Sequence, residues 1–134
     1  MFECLILGDS IGVGTAQAVN ARYAGQCDVQ AVERASAAQI LSWRRPSKYY
    51  GTAIFAIGSN DGAGRALTRT LLEIRTRVTT RRVIWLLPYA RQQAYAVSSV
   101  AATFGDETLD LTRFSSADRI HPSSYAEVAR TLLR

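Results

Sequence analysis

The sequence predicts an α/β protein, a three-layer α/β/α sandwich on a five-stranded parallel sheet. Apolar segments of strand length alternate along the chain with segments whose apolar residues recur at helical spacing. Strands that alternate with helices in this way pair in parallel through right-handed crossovers. With 134 residues, 48% of them hydrophobic and 20% charged, the chain is expected to form a single domain over residues 1–134.

Five segments have the length and composition of strands: residues 2–7, 28–33, 52–57, 83–87 and 108–111. The first is an almost continuous apolar run, which is typical of a parallel strand buried on both faces. The fourth is closed by Pro88, because the residue before a proline is restricted.

Helices are expected between and after these strands. They are marked by Ala16, Val19 and Tyr23; by residues 35–43; by Leu67, Leu71, Ile74 and Val78; by Ala94, Val97, Ala101 and Phe104; and by Tyr125, Val128, Ala129 and Leu132. Gly25 and Gly105 predict two helix ends, and Pro46 closes the second helix. After an irregular loop at 112–121, Pro122 is expected at the first position of the last helix.

Polar, hydroxyl- or carboxylate-bearing turns follow three of the strands. Ser10 lies between Gly8 and Gly12, Asn60 lies in the turn after the third strand, and Asp118 and His121 follow the fifth. Because the carboxyl ends of parallel strands share one edge of the sheet, these side chains are expected to converge there.

The three turns carry residue types that suit nucleophilic chemistry. A carboxylate at Asp118 could fix the tautomer of His121, the only histidine, whose other nitrogen could take a proton from a serine hydroxyl. An amide N–H at Asn60 could stabilise an oxyanion. Each residue also has a structural interpretation, since Ser10 could cap the following helix, Asp118 could cap a helix entrance, and Asn60 could be an ordinary turn residue.

Three motifs together resemble a known family. Gly-Asp-Ser at 8–10, Gly-Ser-Asn-Asp at 58–61 and Asp-Arg-Ile-His-Pro at 118–122 are similar, in order and in strand position, to the first, third and fifth sequence blocks of the SGNH (GDSL-type) hydrolases. The resemblance spans almost the entire chain and implies the flavodoxin-like fold of that family. It also implies a serine esterase that transfers an acyl group to water through a covalent acyl-enzyme, with no cofactor.

The resemblance assigns a role to each matching residue. It implies that Ser10 is the nucleophile, His121 the general base and Asp118 its orienting partner. Asn60 would be an oxyanion donor beside the Ser10 backbone N–H. The family's second block supplies a glycine N–H as a further donor, but residues 33–39 contain no glycine. Ala37, or alternatively Ser36, is expected to donate instead. A misplaced donor would raise the activation barrier by about 2.7 to 4 kcal/mol and so slow the reaction.

Short connections without an apolar lid predict an open site for a small acyl group, with acetyl on a sugar as the favoured substrate. Asp9, Ser59, Asp61 and Tyr89, with Arg91, are expected to line this site because they follow strand ends.

Other functions fit the sequence less well. Residues 8–12 also match the G-x-S-x-G elbow of α/β-hydrolases, but that elbow normally follows several strands. The glycine spacing also resembles that of short-chain dehydrogenases, yet Lys48 is the only lysine and Arg44 stands four residues before it, so the Tyr-x-x-x-Lys pair is missing. The more serious alternative is a silent SGNH-like module that binds carbohydrate or serves in assembly.

Composition argues against several partners. The net charge is +5, but the basic residues are widely spread, which disfavours a nucleic-acid interface. No apolar run is long enough to cross a bilayer and no leader is visible, so a cytoplasmic location is the default expectation. Cys4 and Cys27 are expected to be small core residues rather than a disulfide, and with one histidine they make a poor metal site.

Overall fold

The five-stranded parallel sheet expected from the sequence is confirmed in the structure, a computed structural model that describes residues 4–23, 27–45 and 47–133. The strands are β1 (Cys4–Gly8), β2 (Cys27–Ala31), β3 (Tyr50–Ala56), β4 (Thr80–Leu87) and β5 (Glu107–Asp110). All pairs are parallel and the strand order is β2-β1-β3-β4-β5. This is the flavodoxin-like order, in which the strand order reverses between β1 and β3 and leaves a crevice for ligands at their carboxyl ends.

Helices cover both faces of the sheet. They are α1 (Ser10–Tyr23), α2 (Ala37–Ser42), α3 (Arg65–Thr76), α4 (Arg91–Phe104) and α5 (Tyr125–Leu132), and a 3₁₀ turn at Leu111–Arg113 follows β5. The start of the first strand at Phe2, the helix end at Gly25 and the stop at Pro46 were also expected, but they lie outside the described residues.

The core has two parts because alternate strand residues point to opposite faces. On one face, Leu5 and Leu7 of β1 pack with α2, α3 and α4, and Phe55 meets Trp85 edge to face with ring centroids 4.7 Å apart. On the other face, Ile6 packs with α1 and α5. The helix pair α1 and α5 therefore lies together on one side of the sheet.

β1 and β3 approach each other very closely where both strands end. A Cβ atom at Gly8 would collide with the carbonyl oxygen of Ala56, so only glycine fits. Beyond it, the Asp9 N–H donates to the same Ala56 oxygen at 3.0 Å. This contact brings the turn after β1 against the turn after β3.

Cys4 and Cys27 form a disulfide, which corrects the expectation that they are unpaired core residues. They face each other in the parallel register of β1 and β2, with Cα atoms 4.6 Å apart, a distance that a disulfide can bridge. Both are also buried, as expected. Disulfides are uncommon in the reducing cytosol, so this pairing does not support the expected cytoplasmic location, which stays a prediction.

The last helix begins later than expected. Pro122 is buried in the preceding loop, and α5 starts at Tyr125. Ser124 is the N-cap residue, since its side chain accepts a hydrogen bond from the Glu127 N–H at 3.3 Å. In the part of the chain that the structure describes, no helix combines the length and apolar character needed to cross a membrane.

Candidate active site

Ser10 is the first residue of α1, directly after the turn that ends β1. The capping function falls on Asp9 instead, whose Oδ1 accepts the Ile11 N–H at 2.9 Å and whose carbonyl accepts the Val13 N–H at 3.0 Å. The Ser10 hydroxyl is therefore not used as a cap. Its Oγ lies 2.9 Å from Nε2 of His121, which is 111 positions away in the sequence.

A tight turn holds His121 in place. Oδ1 of Asp118 accepts the backbone N–H groups of Ile120 and His121 at 2.9 and 2.8 Å, and Oδ2 lies 2.8 Å from Nδ1 of the same histidine. Arg119, which follows Asp118 in this turn, has a φ of 57°, in the left-handed region that residues other than glycine rarely adopt. This conformation lets one carboxylate bind both the backbone and the ring of His121.

The charge of Asp118 sets the roles of the two ring nitrogens. The hydrogen bond from His121, followed by those from the backbone N–H groups, holds the pKa of Asp118 well below its usual range. The carboxylate can then only accept, so Nδ1–H donates to it and the lone pair of Nε2 in neutral histidine faces the Ser10 hydroxyl. Ser10, His121 and Asp118 thus form a hydrogen-bonded chain able to activate a hydroxyl.

Ser116 supports this turn, although the sequence analysis did not single it out. Its Oγ donates to the carbonyl of His121 at 2.6 Å and accepts the Arg119 N–H at 2.9 Å. A serine close before Asp118 in a loop is a turn signal that could have pointed to it.

Asn60 and its neighbour Asp61 are bound to the loop before α2. Asn60 Nδ2 donates to the carbonyl of Ala35 at 3.2 Å, and the Ala37 N–H donates to both carboxylate oxygens of Asp61 at 3.0 and 3.1 Å. Burial raises the pKa of Asp61, while the Ala37 hydrogen bond opposes that rise.

These contacts correct the expectation that Ala37 or Ser36 offers a free oxyanion donor. The Ala37 N–H is engaged by Asp61, and the Ser36 N–H donates to Oε1 of Gln39 at 2.8 Å. That glutamine and Ser36 form a capping box that starts α2, so the Ser36 N–H serves the helix entrance while the Ala37 N–H is held by Asp61.

The residues expected to line the substrate surface lie in different environments. Asp9 is fully buried, which corrects its expected place on that surface. Ser59 is half-buried, and Tyr89 is half-buried with its hydroxyl donating to the carbonyl of Phe114 at 3.1 Å. Arg91 is engaged in an ion pair with Asp110 at 2.9 Å, which fixes the start of α4 rather than presenting a free charge.

Tyr125 is a second residue near the site that sequence reasoning did not assign to it. Its ring lies directly on Gly14, one helical turn after Ser10, where any Cβ atom would overlap it. Burial, together with the nearby charges of Asp9 and Asp118, raises the pKa of Tyr125 to about 12. The ring therefore joins α5 to α1 beside the hydrogen-bonded side chains.

The buried carboxyl of Asp9 carries a consequence for stability. Burial raises its pKa from 3.8 to about 6, although backbone N–H groups, that of Ile11 first, oppose the rise. Among the described residues, Oδ2 has no hydrogen-bond partner. A proton on this oxygen relieves the cost of burying a charge.

Asp9→Asn is therefore expected to flatten the pH dependence of unfolding. Between about pH 4 and pH 6 the unfolded chain loses the Asp9 proton before the folded protein does, so wild-type stability falls by up to about 3 kcal/mol as pH rises. The variant has no such proton, so its free energy of unfolding should lack this fall across the window. Urea unfolding at several pH values measures the difference, with Glu73→Gln, an exposed site, as the control that should follow the wild type. Parallel profiles for Asp9→Asn and wild type would contradict the assignment.

Within the described ranges, no group of three or more histidine, cysteine, aspartate or glutamate side chains is placed to hold a metal ion. The polar groups at this edge of the sheet instead bind one another.

Comparison with known proteins shows likeness in structure only. No protein-family model and no curated protein sequence matches the chain. The native aryl esterase of M. smegmatis is similar over 99% of each chain, with a TM-score of 0.68 and 12% sequence identity. A protein from Desulfitobacterium hafniense DCB-2 that is assigned to the G-D-S-L family of lipolytic proteins is similar over 92% of this chain and 85% of its own, with a TM-score of 0.63 and 15% identity. At such identities the likeness is one of fold.

Proposed function

We propose that this chain, which has the SGNH (GDSL-type) hydrolase fold, is a serine esterase that cleaves esters through a Ser10–His121–Asp118 triad. The observation that carries the proposal is the hydrogen-bonded chain from Ser10 Oγ to His121 Nε2 at 2.9 Å and from Nδ1 to Asp118 at 2.8 Å. The two similar structures, an aryl esterase and a member of a lipolytic family, support ester bonds as the substrate class.

The reaction takes two similar steps. His121 Nε2 removes the Ser10 proton as Oγ bonds to the ester carbonyl carbon, and the imidazolium then gives that proton to the departing alcohol. Water, activated by the same nitrogen, attacks the acyl-enzyme and releases the acid. Asp118 stabilises the imidazolium at both stages.

Two donors are available for the oxyanion in this proposal. The Ser10 backbone N–H is one. Asn60 is the other, because its carboxamide has two N–H groups and the hydrogen bond to Ala35 uses only one of them. The Ala37 N–H is left out of the mechanism, since Asp61 already accepts it.

The substrate that fits best is a small acyl ester, with O-acetyl on a carbohydrate as our choice. The side chains of His121 and Asp118 are 40% and 51% exposed, so the reacting groups lie at an open surface. An open surface suits a bulky alcohol such as a sugar and a small acyl group better than a long acyl chain, which needs an apolar groove.

A silent binding or assembly module is the second candidate. It is favoured by one observation, the engagement of both Ser36 and Ala37 N–H groups, which leaves fewer oxyanion donors. Against it stands the complete hydrogen-bonded set of Ser10, His121 and Asp118, which a binding module does not require.

Labelling with a serine-directed fluorophosphonate separates the two candidates. We expect a covalent adduct that peptide mapping locates at Ser10, because among the described residues this is the hydroxyl that lies within hydrogen-bond distance of a histidine nitrogen. His121→Ala should lose the label while keeping its circular dichroism spectrum. A folded wild-type protein that takes up no label, or takes it up elsewhere, would favour the binding module. Chromogenic acetate and octanoate esters, compared on the same samples, test the acyl size.

A further inference from the structure

We propose that Asp61 is a positioning residue that fixes the orientation of the Asn60 carboxamide by anchoring the loop after β3 to the loop before α2. This inference rests on the proposed function, in which Asn60 is an oxyanion donor. Asp61 itself touches no reacting atom in this proposal, and it acts through its neighbour.

Two adjacent side chains bind the same three-residue stretch. Asn60 donates to the carbonyl of Ala35 at 3.2 Å, and Asp61 accepts the N–H of Ala37 with both oxygens at 3.0 and 3.1 Å. The two anchors are buried, since Ala35 and Ala37 are 3% and 1% exposed. Ser36, the residue between them, forms the capping box of α2 with Gln39.

Asp61 is also fixed from other directions. Its carbonyl accepts Nε2 of Gln93 in α4 at 2.9 Å, and its N–H donates to the carbonyl of Gly58 at 3.3 Å. Gly58 has a φ of 118°, a conformation that glycine adopts without strain. The backbone of Asp61 is thus tied to its own turn and to α4, while its side chain is tied to α2.

Asn60 has weaker support of its own. It is exposed, and its one side-chain hydrogen bond to a described residue, at 3.2 Å, is longer than those of Asp61 to Ala37. An exposed carboxamide held by one bond rotates easily, whereas an oxyanion donor must be preorganised to be effective. The carboxylate of Asp61 supplies the missing constraint one residue away.

Asp61→Ala is expected to lower kcat by roughly 10- to 100-fold with little change in KM, because a misplaced donor weakens transition-state binding more than substrate binding. Asp61→Asn keeps one oxygen that can accept the Ala37 N–H, and it should restore most of the lost rate. Asp28→Ala is the control. Like Asp61, Asp28 has a hydrogen-bonded carboxylate, which accepts from Tyr50 and Lys48, but it lies on β2. The control should leave kcat unchanged.

A double-mutant cycle with Asn60→Ala distinguishes positioning from general loss of structure. If Asp61 acts through Asn60, removing it in the Asn60→Ala background should change kcat by no more than about twofold. A full-size loss in that background would overturn the proposal. So would an increase of kcat in Asp61→Ala, which would mean that the freed Ala37 N–H is the better donor.

Gln93→Ala keeps the test available if Asp61→Ala does not fold, because alanine is well tolerated in a helix. It should lower kcat by a smaller factor, and that loss should also vanish in the Asn60→Ala background. Labelling of Ser10 by the fluorophosphonate is measured in every variant. Absence of label in the folded wild type would overturn the proposed function and this inference with it, whereas a labelled, active wild type with an additive cycle would overturn the positioning role alone.

Discussion

Ser10→Ala is expected to abolish ester hydrolysis, with kcat falling by at least about a thousandfold, while the protein stays folded. The hydroxyl that forms the acyl-enzyme is lost, but its side-chain hydrogen bond within the described residues is to the half-buried His121, so little packing changes. Hydrolysis of a chromogenic acetate ester measures the rate, and circular dichroism and thermal unfolding measure the fold.

Ser99→Ala provides the matched control for Ser10→Ala. This serine also lies in a helix, but its hydroxyl donates to the carbonyl of Ala96 within α4. Its removal should leave the rate unchanged. Undiminished turnover in purified Ser10→Ala would rule out the nucleophile and with it the proposed mechanism.

Asp118→Asn should lower kcat by a factor on the order of 10⁴, the loss typical when the orienting carboxylate of such a triad becomes an amide. The asparagine oxygen can still accept the backbone N–H groups of Ile120 and His121, so the turn should survive. Its NH₂ group, however, would donate to Nδ1, which moves the ring hydrogen to Nε2. In that tautomer Nε2, the nitrogen that faces Ser10, has no lone pair to accept the Ser10 proton.

Asp110→Asn is the control for this second prediction. Asp110 also caps a turn with its carboxylate, accepting the Thr112 N–H at 3.0 Å, and it pairs with Arg91 rather than with His121. The control should retain the wild-type rate in the same assay. A rate for Asp118→Asn within about tenfold of wild type would show that another group sets the tautomer.

Much of the fold followed from the sequence because it depends on local patterns. Buried strands alternating with amphipathic helices leave parallel pairing as the natural arrangement, and parallel pairing sends every strand's carboxyl end to one edge. The approach of His121 to Ser10 was therefore foreseeable, even though β1 and β5 are not adjacent. The loop after β5 crosses back along the edge and delivers α5 against α1.

The corrections have a different physical origin. Each depends on a contact between groups that are far apart in the sequence but close in space. Asp61 and Ala37 are 24 positions apart, and only the relative placement of two loops decides that the carboxylate meets that N–H. Cys4 and Cys27 become partners through a strand register that no local pattern specifies. Asp9 follows a buried strand, and whether its side chain turns outward or inward depends on the close approach of Gly8 to Ala56.

The ring of Tyr125 on Gly14 is expected to make the proposed esterase activity sensitive to a local opening. His121 stands four residues before Tyr125, on the loop that α5 anchors, so a partial unfolding that lifts α5 from α1 separates the base from Ser10 while the sheet stays intact. Such sub-global openings require less free energy than complete unfolding. Heating or mild denaturant should then inactivate the protein before its sheet melts, and the gap between the two transitions measures how firmly the last helix is docked.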